Sequence, residues 1–192
     1  ISGCTLNKAD KTGYGYSINV SGLSCYNNIH DNFMTNAIKA CTIGGNGSNG
    51  TAWFNVVQNN IAVHCLHGFE THGEDAESTI QNNILHDTYG HPFALMGVSA
   101  RLIGNTVYNH NNDGVSTDSA AYMGSADTIS VVILNNKFHW NPAGTSGQEW
   151  GVHVDSYAAN IKTFICCHNF FDGYKTGKSV VEEVTAANRS VV

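Results

Sequence analysis

One short pattern recurs along the chain: an apolar residue, any residue, Asn, any residue and a second apolar residue. It occurs at Val57–Ile61, Ile80–Ile84, Ile103–Val107, Leu134–Phe138 and Cys167–Phe171, with Asp in the Asn position at Ile29–Phe33 and a degenerate copy at Ser2–Leu6. The central positions are 4, 31, 59, 82, 105, 136 and 169, so the intervals between them are 27, 28, 23, 23, 31 and 33 residues. A shortest interval near 23 residues, with longer ones elsewhere, is typical of a solenoid, because insertions loop out without disturbing the stacked coils.

The residues around each central position alternate with the period of two that indicates β-strands, and helical periodicity is almost absent. An Asn at the same turn of every coil can hydrogen-bond to the next coil, as amide ladders do in stacked β structure. The repeat therefore predicts an all-β fold, a single-stranded right-handed parallel β-helix (solenoid) of about six to seven coils with an Asn ladder. One domain is expected over residues 1–192, and because the chain does not begin with Met, a fragment of a longer protein is an open alternative.

Composition excludes two classes of partner. Charged residues make up 12% of the chain, the formal net charge is −6, and the nine Lys and Arg are scattered. Nucleic acid is therefore not an expected partner, because phosphate binding needs clustered basic residues. No apolar run approaches the roughly 18 residues that a membrane-spanning helix needs, so no membrane partner is expected either. The uncharged polar residues suit a surface that meets sugars.

Six cysteines occur, and none forms a Cys-x-x-Cys pair, so a zinc knuckle is not predicted. We expect free thiols that pack as small core residues.

A second strand is expected about ten residues after each central position, and its outward side chains should stack into columns. The members of the first predicted column are Glu70, Ala94, Ser116, His153 and Val181. Those of the next column are His72, Met96, Asp118, Asp155 and Glu183. Acidic and histidine side chains are thus concentrated on one strand of each coil, which favours a functional groove over an ordinary solvated face.

The repeat and the run His67–Gly73 resemble the pectate-lyase-like right-handed β-helix superfamily over nearly the whole sequence. Within that superfamily the chain is most similar to phage tailspike and tail-appendage depolymerases. This resemblance implies a carbohydrate-active protein whose partner is a bacterial surface polysaccharide or teichoic acid. It also implies a homotrimer, located in a virion tail appendage or otherwise extracellular.

The predicted columns place Asp118 and Asp155 about 4.8 Å apart, and Glu70 and Asp118 about 9.6 Å apart, on the spacing of paired strands. Carboxylates about 5 Å apart suit a retaining glycosidase, and a separation of about 6.5–9.5 Å suits an inverting one. The predicted catalytic residues are Glu70, Asp118, Asp155, His72 and His153. The predicted substrate-binding residues are His67, His91, Asp113 and Ser116.

Several alternatives stay open. A polysaccharide lyase needs a cation beside the uronate, and without a basic column hydrolysis is favoured over elimination. No cofactor is required, although Glu70, Asp118 and Asp155 could hold a divalent cation such as Ca²⁺. A transition metal could instead bind to His72, Asp118 and His153. A non-catalytic glycan-binding adhesin or receptor-binding β-helix, a secreted polysaccharide lyase and a structural stalk are the other candidate functions.

Overall fold

The computed structural model describes residues 1–7, 15–44, 52–73, 77–110, 119–140, 150–174, 178–183 and 188–192. In these residues the chain forms 21 strands and no helix. The first seven strands are β1 (Thr5–Asn7), β2 (Tyr16–Val20), β3 (Asn28–His30), β4 (Phe33–Thr35), β5 (Lys39–Gly44), β6 (Val56–Gln58) and β7 (Ile61–Val63). The next seven are β8 (His67–Gly73), β9 (Ser78–Gln81), β10 (Ile84–His86), β11 (Phe93–Gly97), β12 (Ser99–Ile103), β13 (Thr106–Tyr108) and β14 (Ser119–Met123). The last seven are β15 (Ser130–Leu134), β16 (Lys137–His139), β17 (Trp150–Val154), β18 (Thr163–Cys167), β19 (Phe170–Asp172), β20 (Val180–Glu182) and β21 (Asn188–Val191).

Every strand pairs in parallel with the strands three places before and after it in the chain. Three sheets of seven strands result, with the orders β1-β4-β7-β10-β13-β16-β19 (sheet 1), β2-β5-β8-β11-β14-β17-β20 (sheet 2) and β3-β6-β9-β12-β15-β18-β21 (sheet 3). One strand from each sheet makes one coil, and we call the step to the next coil a rung. The predicted parallel β-helix is therefore confirmed. No helix in the described residues is long and apolar enough to cross a membrane.

The coils are joined by a ladder of Asn side chains at the turn between sheets 3 and 1. Its members are Asn32, Asn60, Asn83, Asn105, Asn136 and Asn169. Each Asn except the last, Asn169, donates its side-chain amide to Oδ1 of the next member at 2.9–3.0 Å, and its backbone N–H donates to the same oxygen. At Cys4 only the backbone N–H remains to donate, to Asn32 Oδ1.

The predicted ladder positions are correct at 105, 136 and 169 and wrong by one residue in three other coils. In those coils the ladder residue is the one directly after the predicted residue. The predicted residues Asp31, Asn59 and Asn82 are exposed, with φ angles of 56°, 53° and 54°, and so do not take part in the ladder. Asn and Asp tolerate this left-handed conformation better than most residues. Two adjacent polar residues therefore suit the turn for different reasons, and the sequence pattern does not distinguish them.

Inside the coils the apolar side chains stack in columns. Under sheet 1 the column of fully buried side chains is Met34, Ala62, Leu85, Val107 and Phe138. Fully burying a Leu, Val or Phe side chain stabilises the fold by about 1.5–3 kcal/mol. The six cysteines are free thiols, of which four are buried, so the prediction of packed thiols is wrong for Cys4 and Cys25, which are exposed.

The register of sheet 2 corrects the predicted columns. Tyr122 pairs with both Ala94 and His153, so Tyr122 occupies the place that the sequence pattern gave to Ser116. The strand β14 begins 14 residues after Asn105, whereas β11 begins ten residues after Asn83, because this coil carries extra residues before its second strand. Three predicted site residues, Asp113, Ser116 and Asp118, lie outside the described residues.

Candidate functional site

The outward face of sheet 2 carries the candidate site. Its first column runs Thr42, Glu70, Ala94, Tyr122, His153 and Val181. Several of these outward side chains are nevertheless buried: Glu70 and His153 are each 3% exposed and Ala94 is 2% exposed. A buried carboxylate and a buried imidazole on an outward face are unusual, since a charged group leaves water only when it is paired.

Three chemically active side chains meet at the end of this face. His153 lies in β17, Asp155 follows β17, and Glu183 follows β20 on the neighbouring coil. The Glu183 N–H donates to the Val154 carbonyl oxygen at 2.8 Å, so the chain keeps Asp155 and Glu183 in neighbouring rungs after the strands end. One ligand atom from each of His153, Asp155 and Glu183 lies within 4.8 Å of the others. We call these three residues the acidic centre.

Asp155 is held as a carboxylate by several donors. It accepts hydrogen bonds from the Tyr122 hydroxyl at 3.1 Å, the Ser156 hydroxyl at 3.1 Å and the Tyr157 N–H at 2.9 Å. Burial alone would raise the pKa of Asp155, but these hydrogen bonds outweigh it and lower the pKa. Burial and the Asp155 carboxylate raise the pKa of Tyr122 to about 12. At neutral pH, Tyr122 is therefore a neutral donor beside an ionised Asp155.

His153 and Glu183 share a hydrogen bond. His153 Nε2 lies 3.1 Å from Glu183 Oε1, and the Ser156 N–H donates to Glu183 Oε2 at 3.2 Å. When Glu183 is ionised it only accepts hydrogen bonds, and Nε2 of His153 then carries the proton. The other ring nitrogen, Nδ1, is buried and has no hydrogen-bond partner among the described residues.

Aromatic rings form the walls beside the acidic centre. The rings of His91 and Tyr122 stack at 4.5 Å with an interplanar angle of 8°, and the Trp150 and His153 rings are 3.9 Å apart. A cavity of about 280 Å³ lies between them, lined by His91, Tyr122, Trp150, His153, Asp155 and Glu183. Burial lowers the pKa of His91 to about 4, and its Nδ1 accepts the Ser119 N–H at 3.0 Å, so His91 is neutral at pH 7. The cavity thus combines flat apolar faces with carboxylates.

A second polar group lies three rungs away on the same face. Glu70 Oε2 lies 2.6 Å from Lys39 Nζ and 2.7 Å from His72 Nε2. Burial would raise the pKa of Glu70, but the hydrogen bonds from His72 and Lys39 outweigh it and lower the pKa. We call Lys39, Glu70 and His72 the Glu70 centre. Because neighbouring strands lie about 4.8 Å apart, three rungs place the Glu70 centre about 14 Å from the acidic centre.

The predicted site residues are therefore divided between two centres. His153 and Asp155 belong to the acidic centre, and Glu70 and His72 belong to the Glu70 centre. The rings of His67, in β8, and His91, in the cavity wall, stack on each other at 5.9 Å. A single cation does not reach both Glu70 and Asp155, or both His72 and His153, across about 14 Å.

Three residues of the site were not predicted. Tyr122 was missed because its strand was placed too early in the sequence. Glu183 stands in a predicted column but was not selected, although its spacing from Asp155 repeats the coil interval. Trp150 could have been found from its position, three residues before His153. The described residue set that best fits a metal ion is the acidic centre, which offers one nitrogen and two carboxylate ligands.

No family model, no curated protein and no solved structure matches this chain.

Proposed function

We propose that the protein binds a bacterial surface polysaccharide along sheet 2 and hydrolyses it at the acidic centre, as a tailspike-type depolymerase would. The observation that supports this proposal most is the pair Asp155 and Glu183, whose nearest ligand oxygens lie within 4.8 Å beside His153. A separation of about 5 Å is the one that retaining glycosidases use. The reaction would then pass through a covalent glycosyl intermediate.

The two carboxylates have different roles in this proposal. Asp155, whose pKa is lowered, is the nucleophile that attacks the anomeric carbon. Glu183 in its protonated form gives the proton to the leaving glycosidic oxygen as the glycosidic bond breaks, while His153 Nε2, 3.1 Å from Glu183 Oε1, orients that carboxyl group. In the second step Glu183 accepts a proton from the water that releases the sugar from Asp155. Tyr122 keeps the Asp155 carboxylate oriented during both steps.

The walls of the cavity favour a sugar as the substrate. The rings of His91, Tyr122 and Trp150 offer flat apolar surfaces, on which the carbon–hydrogen face of a pyranose can pack. Among the described residues no Lys or Arg lines this cavity itself, although Lys178 Nζ lies 5.3 Å from the centre of the Trp150 ring in its wall. An anionic sugar would meet the carboxylates of Asp155 and Glu183 inside the cavity, so we favour a neutral polysaccharide over teichoic acid or a uronate polymer.

The test is cleavage of a panel of purified capsular polysaccharides, O-antigen chains and wall teichoic acid, measured as new reducing ends and as loss of chain length. Asp155→Asn should lower the rate by at least about 100-fold. Asp172→Asn is the matched control, because Asp172 also lies beside a histidine, His139, but on sheet 1. Unchanged cleavage in both Asp155→Asn and Glu183→Gln would rule out the acidic centre as the catalytic site.

A glycan-binding protein without catalysis is the second candidate, and the aromatic cavity favours it equally. It would serve as an adhesin or receptor-binding module. Retention of a panel polysaccharide on immobilised protein, with no new reducing ends after prolonged incubation, would replace the first proposal by this one.

Metal dependence is a separate question at the same residues. The mechanism above needs no cofactor, but the acidic centre could hold a divalent cation. An imidazole ligand favours a transition metal over Ca²⁺, which prefers oxygen ligands. Activity that is lost in EDTA and restored by Zn²⁺ or Mn²⁺ would assign a catalytic metal. Restoration by Ca²⁺ alone would assign a Ca²⁺ site to the acidic centre, which differs from the set Glu70, Asp118 and Asp155 that the sequence left open for such a cation.

We also propose a homotrimer that acts outside the target cell, as part of a virion tail appendage or as an extracellular protein, because its substrate lies on the bacterial surface. The homotrimer is supported by an apolar column on the outer face of sheet 1. Its members on successive rungs, Phe33, Ile61 and Ile84, are 40%, 40% and 41% exposed. Contiguous apolar surface of this kind is typical of an interface. Light scattering after size-exclusion chromatography gives the mass, and a monomer at micromolar concentration would contradict the trimer.

A further inference from the structure

The Glu70 centre is unusual because one buried carboxylate oxygen has two partners. Lys39 Nζ and His72 Nε2 both contact Glu70 Oε2, at 2.6 Å and 2.7 Å, and the Glu70 side chain is 3% exposed. One cation is enough to compensate one buried carboxylate, and Lys39 supplies it. His72 is therefore not needed for charge balance.

The contact with Glu70 fixes the tautomer of His72. The carboxylate accepts only, so in the neutral form of His72 Nε2 is the nitrogen that carries hydrogen and Nδ1 has a free lone pair. No described residue bonds to this Nδ1, and the His72 side chain is 30% exposed. Within the part of the chain that the structure describes, the imidazole is thus held at one nitrogen and open at the other.

The neighbouring rungs leave room over the ring. Met96 pairs with His72 on one side, and Gly44 pairs with it on the other. A Cβ at Gly44 would collide with the His72 backbone oxygen, and Gly44 has a φ of 125°, so this position accepts only glycine. On this flank the residue paired with His72 therefore has no side chain to cover the ring.

We propose that Nδ1 of His72 is a fixed hydrogen-bond acceptor for a sugar hydroxyl, and so forms a binding subsite three rungs from the acidic centre. This inference rests on the proposed polysaccharide-binding function and deepens it. Glu70 is the positioning residue, and Lys39 keeps Glu70 ionised. A polymer lying along sheet 2 would place one sugar at His72 while another is at Asp155.

The first test reads the tautomer without any sugar. In protein labelled with ¹⁵N-histidine, long-range ¹H–¹⁵N spectra near pH 7.5 should show a protonated Nε2 and a bare Nδ1 at His72. Glu70→Gln should mix the two tautomers, because an amide both donates and accepts. A protonated Nδ1 in the wild-type protein would overturn the inference.

The second test measures coverage by the sugar. Diethyl pyrocarbonate acylates accessible, unprotonated imidazole nitrogens, and peptide mass mapping gives the rate at each histidine. A bound panel polysaccharide should slow the reaction at His72 at least about fivefold and leave that at His139 unchanged. His139 is the matched control, since it is 28% exposed and also lies beside a carboxylate, but on sheet 1. Equal rates at His72 with and without bound polysaccharide would overturn the inference, whereas a panel with no bound member would overturn the proposed function itself.

A pair of variants separates hydrogen bonding from simple packing. The side-chain oxygen of His72→Asn can take the place of Nδ1, so this variant should keep its polysaccharide affinity within about threefold. His72→Leu should lose about tenfold, the effect of one hydrogen bond. Equal losses in the two variants, both with wild-type melting temperatures, would contradict the acceptor role.

Discussion

The Tyr122 hydroxyl donates a hydrogen bond to Asp155 Oδ2 at 3.1 Å, from one coil to the next across sheet 2. The pKa of Asp155 is lowered and that of Tyr122 is raised to about 12, so the proton stays on the phenol at any pH near neutrality. The two residues therefore act together as one oriented carboxylate in the wall of the aromatic cavity.

Tyr122→Phe should remove this hydrogen bond while keeping the ring that stacks on His91. We expect the pKa of Asp155 to rise and polysaccharide cleavage at pH 7 to fall about tenfold, which is the effect of one hydrogen bond to a charged group. An NMR titration of the Asp155 carboxyl carbon gives the pKa, and reducing-end assays give the rate. A rate equal to that of the wild type, with the pKa raised, would show that Tyr122 does not act in catalysis.

Asn60→Ala should cost about 3–5 kcal/mol of unfolding free energy, because it leaves several buried partners of the ladder unpaired. Among them are the N–H and side-chain amide of Asn32, both of which donate to Asn60 Oδ1. Asn59→Gly is the control, since Asn59 is exposed and has a φ of 53°, and it should change stability by less than about 0.5 kcal/mol. Urea unfolding measures both, and equal losses would contradict the ladder assignment.

Acid should destabilise the protein through His110. Burial lowers the pKa of His110 from 6.5 to about 3, so between these pH values the unfolded chain binds a proton that the folded chain does not. The contribution of His110 to the unfolding free energy should therefore fall as the pH decreases below 6.5, by about 2 to 3 kcal/mol over two pH units, and this contribution should level off near pH 3. His91, whose pKa is about 4, adds to the same slope.

The variant His110→Gln isolates this contribution, because the amide can still bond to the Tyr174 hydroxyl but does not titrate. Its unfolding free energy, measured by denaturant titration at each pH, should depend less steeply on pH than that of the wild type. Parallel curves for the two proteins would contradict a buried neutral His110.

Thiol labelling should distinguish the exposed from the buried cysteines. Cys4 and Cys25 are exposed, and the other four are buried, with the pKa of Cys41 and Cys166 raised by burial to about 12. The thiolate is the reactive form, so a thiol reagent should modify two groups in the native protein and six after unfolding. A double variant, Cys4→Ser with Cys25→Ser, should show no rapid reaction, and a remaining fast group would indicate an opening of the coils.

The fold was predictable because the sequence shows both the spacing of the Asn pattern from coil to coil and the alternation of apolar and polar residues within the strands. The exact ladder residue was not, since Asn59 and Asn60 are both Asn and only their backbone angles and burial separate them. The acidic centre was predictable for two of its three residues: His153 stands at an outward position of β17, and Asp155 directly follows the end of that strand. Tyr122 was not predicted, because its position in the sheet depends on how many residues separate Asn105 from β14. No local sequence pattern indicates that number.

The ladder has a consequence for how far apart the two centres lie. Successive members are separated by 23 residues at Asn60–Asn83 and 22 at Asn83–Asn105, and each presents the same amide to its neighbour. Duplicating residues 83–104 would thus add a compatible coil between His72 and Asp155 and move them from about 14 Å to about 19 Å apart. The number of coils between the Glu70 centre and the acidic centre therefore fixes the distance between them. That distance in turn fixes which repeat length of a polymer can contact both centres at once.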